Sequence, residues 1–207
     1  TSSLMETKFS SFSEIIEKSG NLENFINNHE LYWAHFYDQS SHETLNEHVL
    51  LVQEYWTKLI DTFRLERVID ENIEKTITYL NTIYSKDIFG NLLKEIFWAT
   101  MFFHDFGKIN DNFQVKRMQN PNFKYLNKIA FGSEHSKPGT FIFFNYYLEK
   151  ILAEKLLSKE EKYILTALTL LFANSIIKHH AGYINNEILF DTETINSALS
   201  FRSKISV

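Results

Sequence analysis

The sequence predicts an all-α fold, a helical bundle with a metal site at its centre. Three observations carry this. Hydrophobic residues make up 44% of 207, with only 6 Gly and 2 Pro, a composition that suits packed helices better than a loop-rich sandwich. Apolar residues recur at spacings of three and four over most of the chain. Histidine stands at or near the ends of four of these segments, in two cases as part of a doublet, His104-Asp105 and His179-His180.

Taken in order, Phe9 to Asn28 reads as one or two short helices broken at Ser19-Gly20, with Ile15, Ile16, Leu22, Phe25 and Ile26 as the apolar set. Leu31 to Phe36 is an aromatic connector. Thr44 and Glu47 then form a capping box, and the helix behind it carries Leu45, Val49, Val52, Trp56, Leu59 and Phe63. His48 shares the face of Leu45 and Val52, so it should point inward. Val68 to Tyr84 repeats the pattern with Ile73, Ile77 and Leu80. Asp87 can cap the next helix, whose residues Ile88, Leu92, Leu93, Ile96, Phe97, Met101, Phe102 and Phe103 leave almost no polar face. A helix apolar nearly all round belongs at the centre of a fold. This one delivers His104-Asp105 and has Gly107 available as a stop.

The stretch 108–137 differs in composition. It holds six Lys or Arg against two acids, a net of +4, with Phe113, Phe123, Tyr125 and Phe131 among five asparagines. It reads as a basic, aromatic loop. His135 closes it just before Pro138, which a first helical turn tolerates. Phe141 to Leu157 continues as helix. Ser158 and Glu161 form a second capping box, and Ile164, Leu165, Leu168, Leu171, Phe172 and Ile176 run on to His179-His180. Asn185 to Val207 holds one further helix with Ile195, Leu199 and Ile205, without a stop signal.

Several function classes are excluded or disfavoured. The chain has no Cys, which rules out a disulfide scaffold and a Cys-ligated zinc site. It has no apolar run of the length a membrane span needs, and its first twenty residues lack the character of a signal peptide, so a cytoplasmic location and no membrane partner are expected. The net charge of −5 does not advertise nucleic-acid binding over the whole surface. A polyanionic substrate must be held by a local patch, by a metal site or by a partner that delivers it.

Each histidine alone has an ordinary explanation. His48 fits a hydrogen-bonded core position, and His179-His180 fits a helix cap that complements the dipole. His29, His35 and His42 read as surface residues. Jointly, His48, His104, Asp105, His135, His179 and His180 form a candidate ligand set. Imidazole with carboxylate suits Mn, Fe, Co, Ni or Zn better than Mg or Ca. Two such ions about 3.5–4 Å apart serve phosphoryl chemistry by activating water and stabilising the attacking and leaving oxygens. Lys108, one turn after His104, is placed to neutralise a phosphate oxygen.

The ordered set His48, His104-Asp105-Phe106-Gly107-Lys108 with Phe113-Gln114, Glu134-His135-Ser136 and Lys178-His179-His180-Ala181-Gly182 resembles the HD phosphohydrolase superfamily. More narrowly it is similar to the HD nuclease domain of the CRISPR-associated helicase-nuclease of type I systems. Tyr32-Trp33-Ala34-His35 and His42 to His48 look like that family's N-terminal segment, so the resemblance spans about residues 31 to 183. It implies an HD-domain helical fold over 1–207 and a site of one or two divalent transition metal ions. His48, His104 and Asp105 would hold one ion, and Asp105 would bridge to a second held by His135, His179 and His180. Asp105 and Lys108 would be catalytic. The family usually carries a further acidic ligand well downstream of its His-His pair. Asp191 follows that pair too closely to match.

The function the resemblance implies is a metal-dependent nuclease that hydrolyses phosphodiester bonds of single-stranded DNA in CRISPR type I antiviral defence. Its partners would be a helicase domain or subunit, fused after residue 207 or separate, and an RNA-guided surveillance complex (Cascade). Lys116, Arg117, Lys124 and Phe113 are the candidate strand-holding residues, because bases stack on aromatic rings and phosphates pair with cations. The same stretch also fits a solvated surface loop. Two alternatives stay open: an HD phosphohydrolase acting on nucleotides, and a degenerate HD module that only docks a helicase or the surveillance complex.

Overall fold

Helix α1 (Phe12–Ser19) starts on a capping box, Ser11 with Glu14, and stops at Gly20. The computed structural model describes residues 9–38, 40–127, 131–179 and 204–205. Among them the fold is mostly helical, with seven α-helices and one two-stranded sheet. The expected aromatic connector is in fact strand β1 (Trp33–Asp38), paired antiparallel with β2 (Ser41–Thr44). The register sets His35 opposite Glu43 and Phe36 opposite His42, with irregularities on either side of the His35-Phe36 pair. Trp33, Phe36 and Tyr37 are residue types that suit a pleated, half-buried surface.

Helix α2 (Leu45–Phe63) begins on the expected Thr44–Glu47 box. Its buried stripe is Leu45, Val49, Gln53 and Ile60, while Leu59 and Phe63, expected inside, face solvent. Gln53 takes a core position because its amide donates to the Gly20 carbonyl at 2.9 Å, which ties α1 to α2. Arg64, with φ of 52°, turns the chain into α3 (Leu65–Leu80), where Ile73 and Ile77 are buried and Val68 is not.

Helix α4 (Lys86–Phe103) is the central element, packed against α1, α2, α3 and two later helices. Its N-cap position is Ser85, with Asp87 in the first turn instead of at the cap. Lys94 is its one fully buried cation. The ammonium lies 2.7 Å from Asp70 and 2.9 Å from Glu66, and Glu66 also accepts from the Phe12 amide at 2.7 Å. This polar knot fastens α1 and α3 to the middle of α4.

After α4 a tight turn (Phe106–Ile109) leads to α5 (Asp111–Lys116), so the stretch expected to be a loop is partly helical. Its asparagines act as buried staples. Asn110 donates to the carbonyls of Gly132 and Glu134 at 3.1 and 2.8 Å, and Asn112 exchanges hydrogen bonds with the backbone of Leu126. Helix α6 (Ser136–Ala153) carries Pro138 in its first turn, and α7 (Lys159–Lys178) starts on the Ser158–Glu161 box. Leu171, expected in the core, faces solvent from α7.

The core runs from Phe9 and Phe12 through Phe89, Ile96, Trp98, Phe102 and Phe103 to Phe143 and Tyr147. Phe25 meets the rings of Phe102, Phe103 and Phe106 edge-on at 5.3–6.0 Å, so the end of α4 rests on an aromatic bed. The helix expected over 185–207 lies outside the described residues except for Lys204 and Ile205, and Ile205 forms an antiparallel bridge with Ile26. No helix of the described residues is long and apolar enough to cross a membrane.

Candidate metal centre

Helix α4 ends at Phe103, and the chain turns at His104 before the tight turn begins. Aromatic packing beneath makes this a rigid corner. The His104 Nδ1–H donates to the Met101 carbonyl at 2.6 Å. A carbonyl only accepts, so Nδ1 carries a proton, and in the neutral ring the lone pair is on Nε2. That nitrogen lies 3.3 Å from Asp105 Oδ2. His48, one turn into α2, brings Nε2 to 3.0 Å from the same oxygen.

The other carboxylate oxygen faces the opposite way. His179, at the C-terminal cap of α7, puts Nε2 3.3 Å from Asp105 Oδ1, and its Nδ1–H donates to the Ile176 carbonyl at 2.5 Å. His135, at the N-cap of α6, has Nε2 3.5 Å from Oδ1. The His104 ring sits 5.7 Å from that of His48 and 5.4 Å from that of His179, and His135 lies 5.3 Å from His179. The imidazoles thus form an arc around a carboxylate that is only 2% exposed.

Two small residues let this arc close. A Cβ on Gly107 would fall 1.7 Å from the His135 carbonyl oxygen, and one on Gly139 would lie 3.1 Å from the Gly107 nitrogen. The turn after Asp105 and the start of α6 therefore touch backbone to backbone. Gly107 is a close-approach residue inside that turn, not the helix stop its place in the sequence suggests.

The electrostatics follow from burial and hydrogen bonding. Burial opposes ionisation of Asp105, but the surrounding imidazoles of His104, His135, His179 and His48 outweigh it and hold the carboxyl well below the usual carboxylate range. His104 also feels burial, which lowers it, yet Asp105 and the Met101 carbonyl raise it on balance. His135 moves down, because burial and the nearby charge of Lys108 exceed the pull of Asp105.

Lys108 is buried. Its ammonium lies 2.9 Å from Asp105 Oδ2 and donates to the Ala34 carbonyl at 3.0 Å. It neutralises Asp105 and ties the hairpin to the corner, whereas the sequence suggested an ammonium turned to a substrate phosphate. Phe113 is also buried, with its ring 4.7 Å from His135 in an edge-on contact. Expected among the strand-holding residues, it has no free face for a base and instead props His135. Lys116, Arg117 and Lys124 are exposed as a binding surface requires, and the Lys116 ammonium sits 4.4 Å from the Tyr125 ring centre. Gln114 donates to the carbonyls of Trp33 and Lys108 at 2.8 and 2.7 Å, a second tie between hairpin and corner.

The donor set fits a divalent transition metal. His48, His104 and Asp105 form one group of ligand atoms within 4.8 Å of one another, and Asp105, His135 and His179 form a second. Backbone carbonyls fix His104 and His179 so that Nε2 faces Asp105. His180 and Asp191 lie outside the described residues. One acid escapes a reading from sequence alone: Glu43, in a third group with His35 and His48. Only the hairpin register brings it to the site, and a connector read as non-strand gives no signal of it.

Comparison with known proteins returns no match, since no family model, no curated protein and no solved structure is significantly similar to the chain.

Proposed function

We propose that this chain is a metal-dependent phosphodiesterase of the HD type, a nuclease acting on single-stranded DNA. The observation that supports it most is the division of one buried carboxylate between two pairs of imidazoles, Oδ2 toward His48 and His104, Oδ1 toward His135 and His179. The sequence resemblance to the nuclease domain of CRISPR type I systems supplies the substrate class.

Divalent ions of the Mn, Fe, Co, Ni or Zn type held by these residues would supply a water nucleophile at neutral pH and polarise a phosphate ester. The chain's own contribution is preorganisation. Asp105 stays ionised because the imidazoles around it favour its charged form. Lys108 balances its charge and holds its orientation. Helix ends, not flexible loops, carry His104 and His179, so their lone pairs are aimed before a ligand arrives. The exposed cations Lys116, Arg117 and Lys124 would hold the phosphates of the strand. A helicase domain or subunit and an RNA-guided surveillance complex in the cytoplasm would present the strand, a division of labour compatible with a net charge of −5.

The test is cleavage of single-stranded DNA by the purified chain with Mn, Ni, Co or Fe. Wild type should degrade it, and His104→Ala or Asp105→Ala should abolish cleavage. Turnover of deoxynucleoside triphosphates without DNA cleavage would favour the nucleotide phosphohydrolase instead. A chain that binds no metal would be a docking module.

A further inference from the structure

We propose that Glu43 is a positioning residue of the metal centre, acting through His48, and that His35 holds Glu43 in place. This rests on the reading of the centre given above and assigns a role to a carboxylate that the reading does not otherwise use.

His48 has its two nitrogens between two acids. Nε2 is 3.0 Å from Asp105 Oδ2, and Nδ1 is 3.4 Å from Glu43 Oε2. A carboxylate oxygen attracts the Nδ1 proton, which leaves the Nε2 lone pair for a cation on the Asp105 side. The same Oε2 lies 2.5 Å from His35 Nδ1, and the His35 and His48 rings meet edge-on at 4.8 Å. Oε2 is thereby held between two imidazoles. The β1–β2 register sets His35 opposite Glu43.

The simplest structural role for Glu43 is already filled. It precedes the N-cap residue of α2, but Glu47 completes that capping box, accepting from the Thr44 amide at 2.8 Å. The partners of the other imidazoles sharpen the contrast. His104 and His179 donate from Nδ1 to neutral backbone carbonyls, whereas His48 faces an anionic acceptor. A carboxylate behind a ligating imidazole raises its basicity and fixes its orientation, and loss of such a partner typically weakens metal affinity about 10–100-fold. The two halves of the centre are therefore unequal, and the half built on His48 and His104 depends on Glu43.

The experiment titrates Mn into metal-free full-length chains and follows free Mn by electron paramagnetic resonance. Wild type should bind two ions. Glu43→Ala should weaken one of them about 10–100-fold and leave the other as in wild type. Glu43→Gln, whose amide oxygen can accept from Nδ1–H, should recover much of that loss, and His35→Ala should weaken the same ion by less. Co absorption adds a readout that a purely structural role would not move: the spectrum of one bound Co should shift in Glu43→Gln at unchanged stoichiometry. If Glu43→Ala does not fold, Glu43→Gln carries the test through affinity and spectrum together. Native affinity for both ions with an unaltered spectrum, or equal weakening of both, would overturn the role of Glu43 alone. So would a third ion that the Glu43 variants lose, which would make His35, Glu43 and His48 a separate site. Wild type that binds no Mn would instead overturn the metal-centre reading itself.

Discussion

Gly107 and His135 meet backbone to backbone: a Cβ on the glycine would stand 1.7 Å from the His135 carbonyl oxygen. The neighbour is main chain, so it cannot swing aside as a side chain could. Gly107→Ala should cost about 1–3 kcal/mol of stability through overpacking. Because α6 must shift, the ion shared by Asp105, His135 and His179 should weaken more than the one beside His48. Denaturant melts of the metal-free protein and Mn titration check both parts.

Each histidine should report on its own side of Asp105. His48→Ala should reduce binding of one ion, and His179→Ala that of the other, since their Nε2 atoms face different carboxylate oxygens. Stoichiometry from calorimetric titration distinguishes this from a single shared site, in which either variant would remove all binding.

Lys94 is enclosed by Glu66, Asp70 and the Phe12 ring. Lys94→Met keeps much of the volume but leaves the buried Asp70 and the partly exposed Glu66 without their counter-charge. Breaking such a pair from one side costs about 3 kcal/mol or more, and the metal-free protein should lose that much in chemical denaturation. Metal stoichiometry should be unaffected, because Lys94 belongs to the joint of α1, α3 and α4, away from the corner at His104.

Glu161 supplies an acid-dependent contribution. Burial raises it, but hydrogen bonds from Ser158, Ser85 and Tyr84 outweigh burial and place the folded carboxyl below its ordinary value of 4.5. A depressed folded value means the stabilisation is complete above that ordinary value and is lost as pH falls through the folded one. Glu161→Gln removes one acceptor for these amides and should cost about 1–3 kcal/mol at pH 7. Its stability should also fall less steeply than wild type on acidification, as denaturant melts in chelator from neutral pH to about pH 3 would show.

Much of this was legible in the sequence for definite reasons. The Thr44–Glu47 and Ser158–Glu161 boxes are local, fixed by three-residue spacing, and both cap the helices expected of them. His48, His104, Asp105, His135 and His179 do converge, because each sits at a helix terminus or one turn inside one. What stayed hidden depends on long-range partners. Composition made 108–137 a loop, yet Asn110 and Asn112 are buried and satisfied by backbone some 14–24 residues away. Phe113 and Lys108 carry residue types suited to a nucleic-acid surface, and only their burial against His135 and Asp105 gives them structural work. Helical periodicity also overstated the core, since Leu59, Phe63 and Leu171 fall on the right spacing where no helix of the described residues covers them.

The most direct test of a centre shared across Asp105 is the metal content of wild type and Asp105→Ala after reconstitution with Mn and removal of excess by gel filtration. Wild type should retain two ions per chain and the variant none, because both pairs of imidazoles close on that one carboxylate. A wild type that retains no metal, or an Asp105→Ala chain that retains both ions, would contradict it.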